Sequence, residues 1–265
     1  MVWWSRATRS LARIEVLGAI NGEVRNRVLN ALKTVKERKY PALLLRIDSP
    51  GGTVGDSQEI YSALRALQQK VKIVASFGNI SASGGVYIGM GASHIVANAG
   101  TVTGSIGVIL RGNNLEILLK RIGISFKVIK SGPYKDILAF DRDLTDAEQS
   151  ILQELIDTSY CQFVQTVAEA RKLTEEQVRA FADGRIFTGQ QAQALGVVDR
   201  LGSEEDARRW ACELADLDPD KTRTCTLAGR PRSWLPRFAA QTSALQTWLA
   251  LELQHTGVPL WLYRP

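Results

Sequence analysis

The sequence predicts an α/β fold, built on a parallel β-sheet and folded as a single domain. The first observation is a short, mostly apolar run, Ala42–Ile47, that stops in a Ser-Pro-Gly-Gly turn, as buried parallel strands often do. The second is an amphipathic helix over Asp56–Gln69 that leads to another apolar run at Val71–Ser76. Strand, glycine turn, helix and strand in this order are typical of α/β parallel sheets. The composition agrees, since 45% hydrophobic and 23% charged residues over 265 positions are ordinary globular usage.

The remaining elements follow from periodicity and from signals at helix ends. Apolar residues at helical spacing between Val24 and Leu32 predict the first helix, and Thr145 with Glu148 has the spacing of a capping box. Further strands are predicted at Leu11–Ile20, Ser125–Ile129 and Val197–Val198, and helices at Glu23–Lys36, Val86–Met90, Asn114–Arg121, Thr145–Arg171, Ser203–Leu214 and Ala244–Gln254, with two short helices around a turn at Gly184–Thr188. These elements predict an arm at residues 1–10, one domain at 11–215, and an extension at 216–265 that ends in an apolar tail.

The charge of the chain is +6 and unevenly distributed. Arg6, Arg9 and Arg13 stand without an acid beside Trp3 and Trp4, and indole rings favour the headgroup level of membranes. We therefore expect a peripheral membrane contact through residues 1–13. A second basic cluster near residues 230–237 matches no nucleic-acid motif, so no nucleic-acid partner is predicted.

Targeting signals and cysteines bear on the compartment. The N-terminus lacks the apolar core of a signal peptide, and no stretch reaches the roughly 18–20 apolar residues of a membrane span. Three cysteines without metal-ligand spacing fit a reducing compartment. The expectation is a protein of the cytoplasm, or one held peripherally on the cytoplasmic face of a membrane, with no metal and no cofactor.

Two turns that follow apolar strands carry the first candidate functional groups. The turn Asp48–Gly52 ends in paired glycines, whose backbone N–H groups can bind an anion or a developing oxyanion. The second turn lies in Gly78–Gly107, a stretch with one histidine and no lysine, arginine, aspartate or glutamate. Within it, Ser83 precedes two glycines and an apolar helix, where the helix dipole favours an alkoxide. Ser83 is thus a candidate nucleophile, although a glycine turn and a helix-capping serine are the simpler interpretations of each motif alone.

A serine nucleophile needs a base, and histidine is a poor candidate here. His94 is predicted at the far end of the helix after Ser83, and His255 lies in the C-terminal extension. Both are predicted to be bystanders, so a Ser-His-Asp triad is not expected.

The alternative base is a lysine that burial holds neutral. Lys127 and Lys130 lie on or at the end of a predicted strand, and Lys135 lies in the polar turn Ser131–Asp136. Turns at strand ends carry functional groups more often than strand centres do, which favours Lys135 without excluding the others.

Four motifs in order resemble one known family. LLLRIDSPGGTVGDSQEIY, GNISASGGVYIGMGASHIVANAGTVTGSIGVI, IKSGPYKD and GRIFTGQQAQALGVVDRLG are similar to signal peptide peptidase A, the protease IV family of the ClpP/crotonase superfamily. The resemblance covers about Ile14 to Gly202. It implies a ClpP/crotonase-like fold of repeated ββα units forming a superhelix.

The resemblance also implies roles for individual residues. Ser83 would be the nucleophile, Lys135 the general base, and Ser105 a residue that positions the lysine. The oxyanion would be bound by the N–H groups of Gly52 and Gly84. The chain would then be a serine endopeptidase with a Ser/Lys dyad, cleaving peptides or unfolded proteins, in particular apolar ones such as signal-peptide remnants.

Assembly and alternative functions complete the expectations. Single-copy members of the family form closed rings, which implies a homo-oligomer here, from tetramer to octamer, with dyad residues meeting at subunit interfaces. Two alternatives stay open: a crotonase-like acyl-CoA hydratase or isomerase, which shares the glycine turns but commonly uses carboxylates, and a non-catalytic ring that binds peptides.

Overall fold

The computed structural model of the protein describes residue 7 and residues 9–228 and 259–263. The chain divides into two compact units, one of residues 1–107, 162–232 and 261–265, the other of 108–161 and 233–260. The predicted helix at Ala244–Gln254, the residue His255 and most of the basic N-terminal arm lie outside the described residues. The domain bounds 1–10, 11–215 and 216–265 stay a prediction.

The described secondary structure alternates strands and helices, as the sequence predicts. The strands are β1 (Ser10–Leu17), β2 (Ala42–Ser49), β3 (Gly51–Thr53), β4 (Lys72–Ala82), β5 (His94–Ala97), β6 (Val102–Gly104), β7 (Ile186–Thr188), β8 (Arg200–Leu201), β9 (Arg223–Ala228) and β10 (Leu260–Leu262). The helices are α1 (Gly22–Glu37), α2 (Val54–Gln68), α3 (Gly84–Gly89), α4 (Glu116–Arg121), α5 (Asp146–Arg171), α6 (Glu175–Arg179), α7 (Gly189–Ala194) and α8 (Glu204–Glu213).

An eight-stranded sheet forms the centre of the first unit. Its main path runs β7-β6-β4-β2-β1-β9, with β5 joining β4 to β8, and β10 forms a separate pair with β3. Each described pair of the large sheet is parallel except β6–β7. Strand β9 lies in the range taken from the sequence as an extension, and pairing with β1 makes it part of the sheet.

The two central strands supply the core. Leu43, Leu44 and Leu45 of β2 and Ile73 and Val74 of β4 are all at most 1% exposed. Fully burying one side chain of this kind contributes about 1.5–3 kcal/mol to folding. Because β1, β2 and β4 are parallel and in register, their carboxyl ends meet at one edge of the sheet. Residues that follow these strands are thereby brought together.

The second unit departs from the sequence prediction at residues 125–129. The predicted strand there is wrong, since these residues pair with no strand of the described ranges. Phe126, Val128 and Ile129 are exposed, so the apolar residues of this segment do not pack against a sheet or core of the described chain. Helix α4 is present, with Ile117 and Leu118 also exposed.

Two smaller observations concern hydrophobic segments. The predicted strand at Val197–Val198 is displaced to β8, and both valines are buried in the turn before it. Within the described ranges, none of the helices combines the length and the apolar character that a membrane crossing requires.

Candidate active site

Ser83 stands at the point where the central strand β4 turns into helix α3. It is the residue directly before the helix. Its backbone has φ 53° and ψ −116°, a conformation that costs a non-glycine residue about 1–3 kcal/mol. Two backbone hydrogen bonds fix the turn: Ser83 N–H donates to the Gly104 carbonyl at 2.8 Å, and Tyr87 N–H donates to the Ser83 carbonyl at 3.0 Å. The turn therefore holds the serine in one strained, defined position.

The side chain of Ser83 is buried but unused by the fold. The residue is 1% exposed, and its hydroxyl has no hydrogen-bond partner among the described residues. A buried polar group without a partner costs about 1–3 kcal/mol, so proteins rarely keep one without a reason. Ser83 is the N-cap residue of helix α3, but its side chain makes no capping hydrogen bond, so capping does not explain the serine.

The glycine turn after β2 lies beside Ser83. Ser49 is fully buried, its hydroxyl donates to the Gly18 carbonyl at 2.6 Å, and the Gly51 N–H donates to it at 3.1 Å. Gly51 has φ 101°, in the left-handed region that favours glycine. The sequence turn therefore needs its glycine for conformation, as expected.

The backbone N–H of Gly52 points away from Ile20, the residue that lies opposite it. Both backbone groups of Ile20 bond to the residues on either side of Gly52. The Ile20 N–H donates to the Gly51 carbonyl at 2.8 Å, and the Ile20 carbonyl accepts from the Thr53 N–H at 3.1 Å. Backbone groups alternate along a strand, so the Gly52 N–H points to the opposite edge. That is the edge on which β10 pairs with β3.

Gly52 and Gly84 are in contact through their backbones. A Cβ built on Gly84 would lie 3.2 Å from the Gly52 nitrogen and 2.7 Å from Ser57 Oγ. A Cβ on Gly51 would lie 2.7 Å from the Gly84 nitrogen. The two turns that were predicted to bind an oxyanion thus come together beside Ser83, with only glycines small enough to permit this approach.

Ser105 lies next to Ser83 for a reason that the strand register explains. Strand β6 pairs with the end of β4, with Ala82 opposite Gly104, and each serine directly follows one of these residues. Ser105 has φ 51°, and its N–H donates to the Arg185 carbonyl at 2.7 Å. The small-residue stretch therefore brings together two serines that both have positive φ.

Lys135 belongs to the second unit, whereas Ser83, Ser105, Gly52 and Gly84 belong to the first. It is exposed, on a turn whose Lys135 N–H donates to the Gly132 carbonyl at 3.3 Å. The desolvated surroundings expected for a lysine base are absent around it in the described chain. Its role as a base stays a prediction.

His94 takes no part in the Ser83 turn. In the register of β4 and β5 it lies opposite Val74, near the start of β4, whereas Ser83 follows the end of that strand. Its ring stacks on Trp210 with 4.3 Å between centroids, and burial lowers the pKa of its imidazole.

An aromatic cluster that the sequence reasoning missed adjoins the site. The side chain of Trp261 in β10 is fully buried against Tyr87 of α3 and Phe163 of α5, with ring centroids 4.0 Å and 4.8 Å away. The hydroxyl of Thr166 bonds to the Tyr87 hydroxyl at 3.2 Å, and burial raises the pKa of Tyr87. The apolar tail of the sequence was the one signal for this contact.

The backbone of Trp261 also contacts the glycines. A Cβ on Gly51 would overlap the Trp261 carbonyl oxygen, and a Cβ on Gly84 would lie 3.1 Å from it. The Tyr263 N–H donates to the Pro50 carbonyl at 2.7 Å. A segment of the chain's own backbone therefore lies extended along β3, with a carbonyl at the paired glycines.

Comparison with family models identifies two matches. Residues 65–218 match the model of peptidase family S49, which is more than half of the chain, and residues 4–101 match the Clp protease model. The solved structure of a ClpP1 mutant from Listeria monocytogenes superposes with a TM-score of 0.53 at 18% identity, covering 76% of this chain and 94% of that one. The predicted α/β, ClpP-like fold is confirmed.

Three curated proteins illustrate the similarity. A Synechocystis sp. protein provisionally named protease slr0021 is 63% identical over the whole of both chains. Protease 4 of Salmonella typhi is 40% identical over 68% of this chain and 29% of its own length. The chloroplastic serine protease SPPA of Arabidopsis thaliana is 31% identical over 87% of this chain and 35% of its own length.

These matches cover the motifs on which the resemblance was based, and they favour a protease over an acyl-CoA hydratase. The predicted protease class is confirmed. The chain belongs to peptidase family S49, the family of signal peptide peptidase A and protease IV.

Proposed function

We propose that this protease is a serine endopeptidase in which Ser83 is the nucleophile and Lys135 the general base. The observation that carries the proposal is the Ser83 hydroxyl, which is buried, has no partner in the described chain, and sits on a strained turn at the start of α3. Such an arrangement is costly for folding and useful for nucleophilic attack.

The proposed mechanism gives each group one role. Neutral Lys135 removes the proton from Ser83 Oγ as that oxygen attacks a peptide carbonyl carbon. The N–H groups of Gly52 and Gly84 donate to the resulting oxyanion, and donors of this kind each account for about 10²–10³ in rate. Lys135 then gives its proton to the departing amine, water hydrolyses the acyl-enzyme, and the serine is restored. Ser105, beside Ser83, would orient the lysine.

The substrate in this proposal is an extended, apolar peptide. The strand β10 supports this, since it lies along β3 in extended form, with Trp261 in an aromatic pocket and its carbonyl at Gly51 and Gly84. A substrate strand that took the place of β10 at this edge would gain backbone hydrogen bonds regardless of sequence and would place an apolar side chain in the pocket that Trp261 fills. Signal-peptide remnants and unfolded segments have this character.

The active form in this proposal is a homo-oligomeric ring of four to eight subunits. Lysine acts as a base near neutral pH only where desolvation disfavours its charged form, whereas Lys135 is exposed in the single chain. Large apolar side chains surround it in sequence and are also exposed, among them Phe126, Ile129 and Tyr134. A neighbouring subunit covering this segment would bury both the apolar residues and the lysine.

The proposal places the ring in the cytoplasm or against the cytoplasmic face of a membrane. The predicted bounds 1–13 are too long, because residues 10–13 belong to β1 and Arg13 pairs with Glu15 and Glu204. The part that would make the peripheral contact is residues 1–9, with two arginines and the paired tryptophans. In a flotation experiment with anionic liposomes, the full chain should rise with the liposomes, and a chain lacking residues 1–10 should stay in the dense fraction. Equal flotation of both would overturn the membrane contact.

Substitution of the two dyad residues tests the proposal. Casein cleavage should fall to background in Ser83→Ala and in Lys135→Ala, with both proteins folded. Ser81→Ala is a matched control, because Ser81 Oγ is also buried without a partner in the described chain but lies within β4. A fluorophosphonate probe should label Ser83 and should fail to label Ser83→Ala. Full cleavage by either dyad variant, or a probe adduct on another residue, would overturn the assignment.

A further inference from the structure

A network of charged side chains fastens the turn that carries Lys135. Lys130 Nζ donates to the Pro133 carbonyl at 3.0 Å and to Asp136 Oδ1 at 2.6 Å. Arg142 reaches the same aspartate, with Nη2 to Oδ1 at 2.9 Å and Nε to Oδ2 at 3.3 Å. Asp136, the residue directly after Lys135, is thus held from two sides.

Arg142 holds the backbone of this turn as well as a side chain. Its Nη2 donates to the carbonyl oxygen of Asp136 at 3.2 Å. The flat guanidinium bonds to a carboxylate and a carbonyl with a fixed geometry, whereas a lysine ammonium such as that of Lys130 bonds without a fixed orientation. Arg142 therefore restrains both the side chain and the main chain directly after Lys135.

The other side of Arg142 is anchored to helix α5. Its Nη2 and Nη1 donate to Glu148 Oε1 at 2.5 Å and Oε2 at 2.8 Å, and the Glu148 side chain is 2% exposed. Glu148 also accepts from the Thr145 N–H at 2.9 Å, and Thr145 Oγ1 in turn accepts from the Glu148 N–H at 3.3 Å, as in a capping box. The network therefore connects the turn that carries Lys135 to the first turn of a long helix.

The carboxyl groups and the guanidinium of this network are charged near neutral pH. Hydrogen bonds from Arg142 lower the pKa of Asp136 and of Glu148 to about 2, and the two carboxylates raise the pKa of Arg142. Both acids are therefore ionised near neutral pH, where Arg142 can pair with each of them.

We propose that Arg142 is a positioning residue for the general base. By bonding to the side chain and the carbonyl of Asp136 on one side and to Glu148 on the other, it holds the residue that follows Lys135 and so restrains the direction in which the lysine side chain leaves the backbone. The inference rests on the proposed role of Lys135. A base misplaced by about 1 Å can cost about 10²-fold in rate, so a clamp one residue away matters to catalysis.

The test compares Arg142→Met and Arg142→Lys with the wild-type protein. Arg142→Met removes the fork and keeps the length of the side chain, and we expect kcat to fall by about 10- to 100-fold while KM changes little. Arg142→Lys can restore one bond to Asp136, so its kcat should lie between those of Met and wild type. Arg209→Met is the control for loss of an arginine ion pair, because Arg209 pairs with Asp220 at 2.8 Å in a more exposed place outside this network.

A double-substitution cycle separates positioning from general damage. In Lys135→Ala, the slow rate of fluorophosphonate labelling at Ser83 should not fall further when Arg142→Met is added, because no base is left to position. A further fall by the same factor as in the wild-type background would overturn the inference. So would a wild-type kcat in Arg142→Met.

Two results distinguish this inference from the proposed function. Full activity in Lys135→Ala would show that Lys135 is not the general base and would overturn the proposed function. An inactive Lys135→Ala together with a fully active Arg142→Met would overturn the positioning role of Arg142 and leave the proposed function in place. If Arg142→Met fails to fold, Asp136→Asn gives the same test with a smaller change, since it weakens the bonds to Arg142 and Lys130 and preserves size.

Discussion

Trp261 packs its indole on the phenol ring of Tyr87, with 4.0 Å between centroids and 30° between the ring planes. Tyr87 lies one helical turn after Ser83, so the strand β10 is anchored to the helix that directly follows Ser83. The indole is fully buried, yet its Nε1–H finds no acceptor within the part of the chain that the structure describes. In the described chain, the pocket therefore holds the indole by apolar contacts with its ring.

Substitution of Trp261 should separate ring burial from hydrogen bonding. Trp261→Ala should lower the free energy of unfolding by about 3–5 kcal/mol, because it removes a fully buried aromatic side chain. Trp261→Phe should stay within about 1.5 kcal/mol of the wild type, since it keeps much of the ring and removes a buried unpaired N–H. Urea unfolding measures both. A Phe variant as unstable as the Ala variant would mean that the indole N–H has a partner.

Removing β10 should make the site more accessible to peptides. The strand occupies the edge of β3 to which an extended substrate would add, and its carbonyl lies at Gly51 and Gly84. A chain ending at residue 258 should show a KM for an apolar peptide lowered several-fold, and a synthetic peptide of residues 258–263 should raise it again. Circular dichroism of the shortened chain checks its folding. An unchanged KM in a folded, shortened protein would place the substrate elsewhere.

Gly51 should tolerate no side chain, for two separable reasons. Its φ of 101° is costly for alanine, and a Cβ there would overlap the Trp261 carbonyl oxygen. Gly51→Ala should therefore lose activity and more than about 1 kcal/mol of stability. Gly18→Ala carries only the first cost, because Gly18 has φ 72° and open space around its Cβ position. Equal losses in the two variants, measured by urea unfolding, would argue against close packing at Gly51.

Local motifs predicted the part of the site that local geometry forms. Ser83 and the turn at Gly51 and Gly52 follow parallel strands, so the sheet register brings them together, and the sequence reveals both strands. The contact of Trp261 with Tyr87 depends on packing between distant parts of the chain, which no local pattern encodes. A strand was predicted at Ser125–Ile129, but a strand requires a neighbour to pair with, and the described chain supplies none there.

The clamp at Arg142 should give the protein a specific sensitivity to acid. The pKa values of Asp136 and Glu148 are about 2, below their ordinary values of 3.8 and 4.5, because Arg142 bonds to both and Lys130 also bonds to Asp136. Because the two carboxyl groups have lower pKa values in the folded protein than in the unfolded chain, their ionisation stabilises the folded state at any pH above about 4.5. This stabilisation is lost as the pH falls from about 4.5 towards 2. Arg142→Met should therefore melt at a lower temperature than the wild type at about pH 7, and the two melting curves should converge near pH 2. Arg209→Met controls for loss of a surface arginine. A difference between wild type and Arg142→Met that stays constant down to about pH 2 would mean that the two carboxylates are not the partners through which Arg142 stabilises the fold.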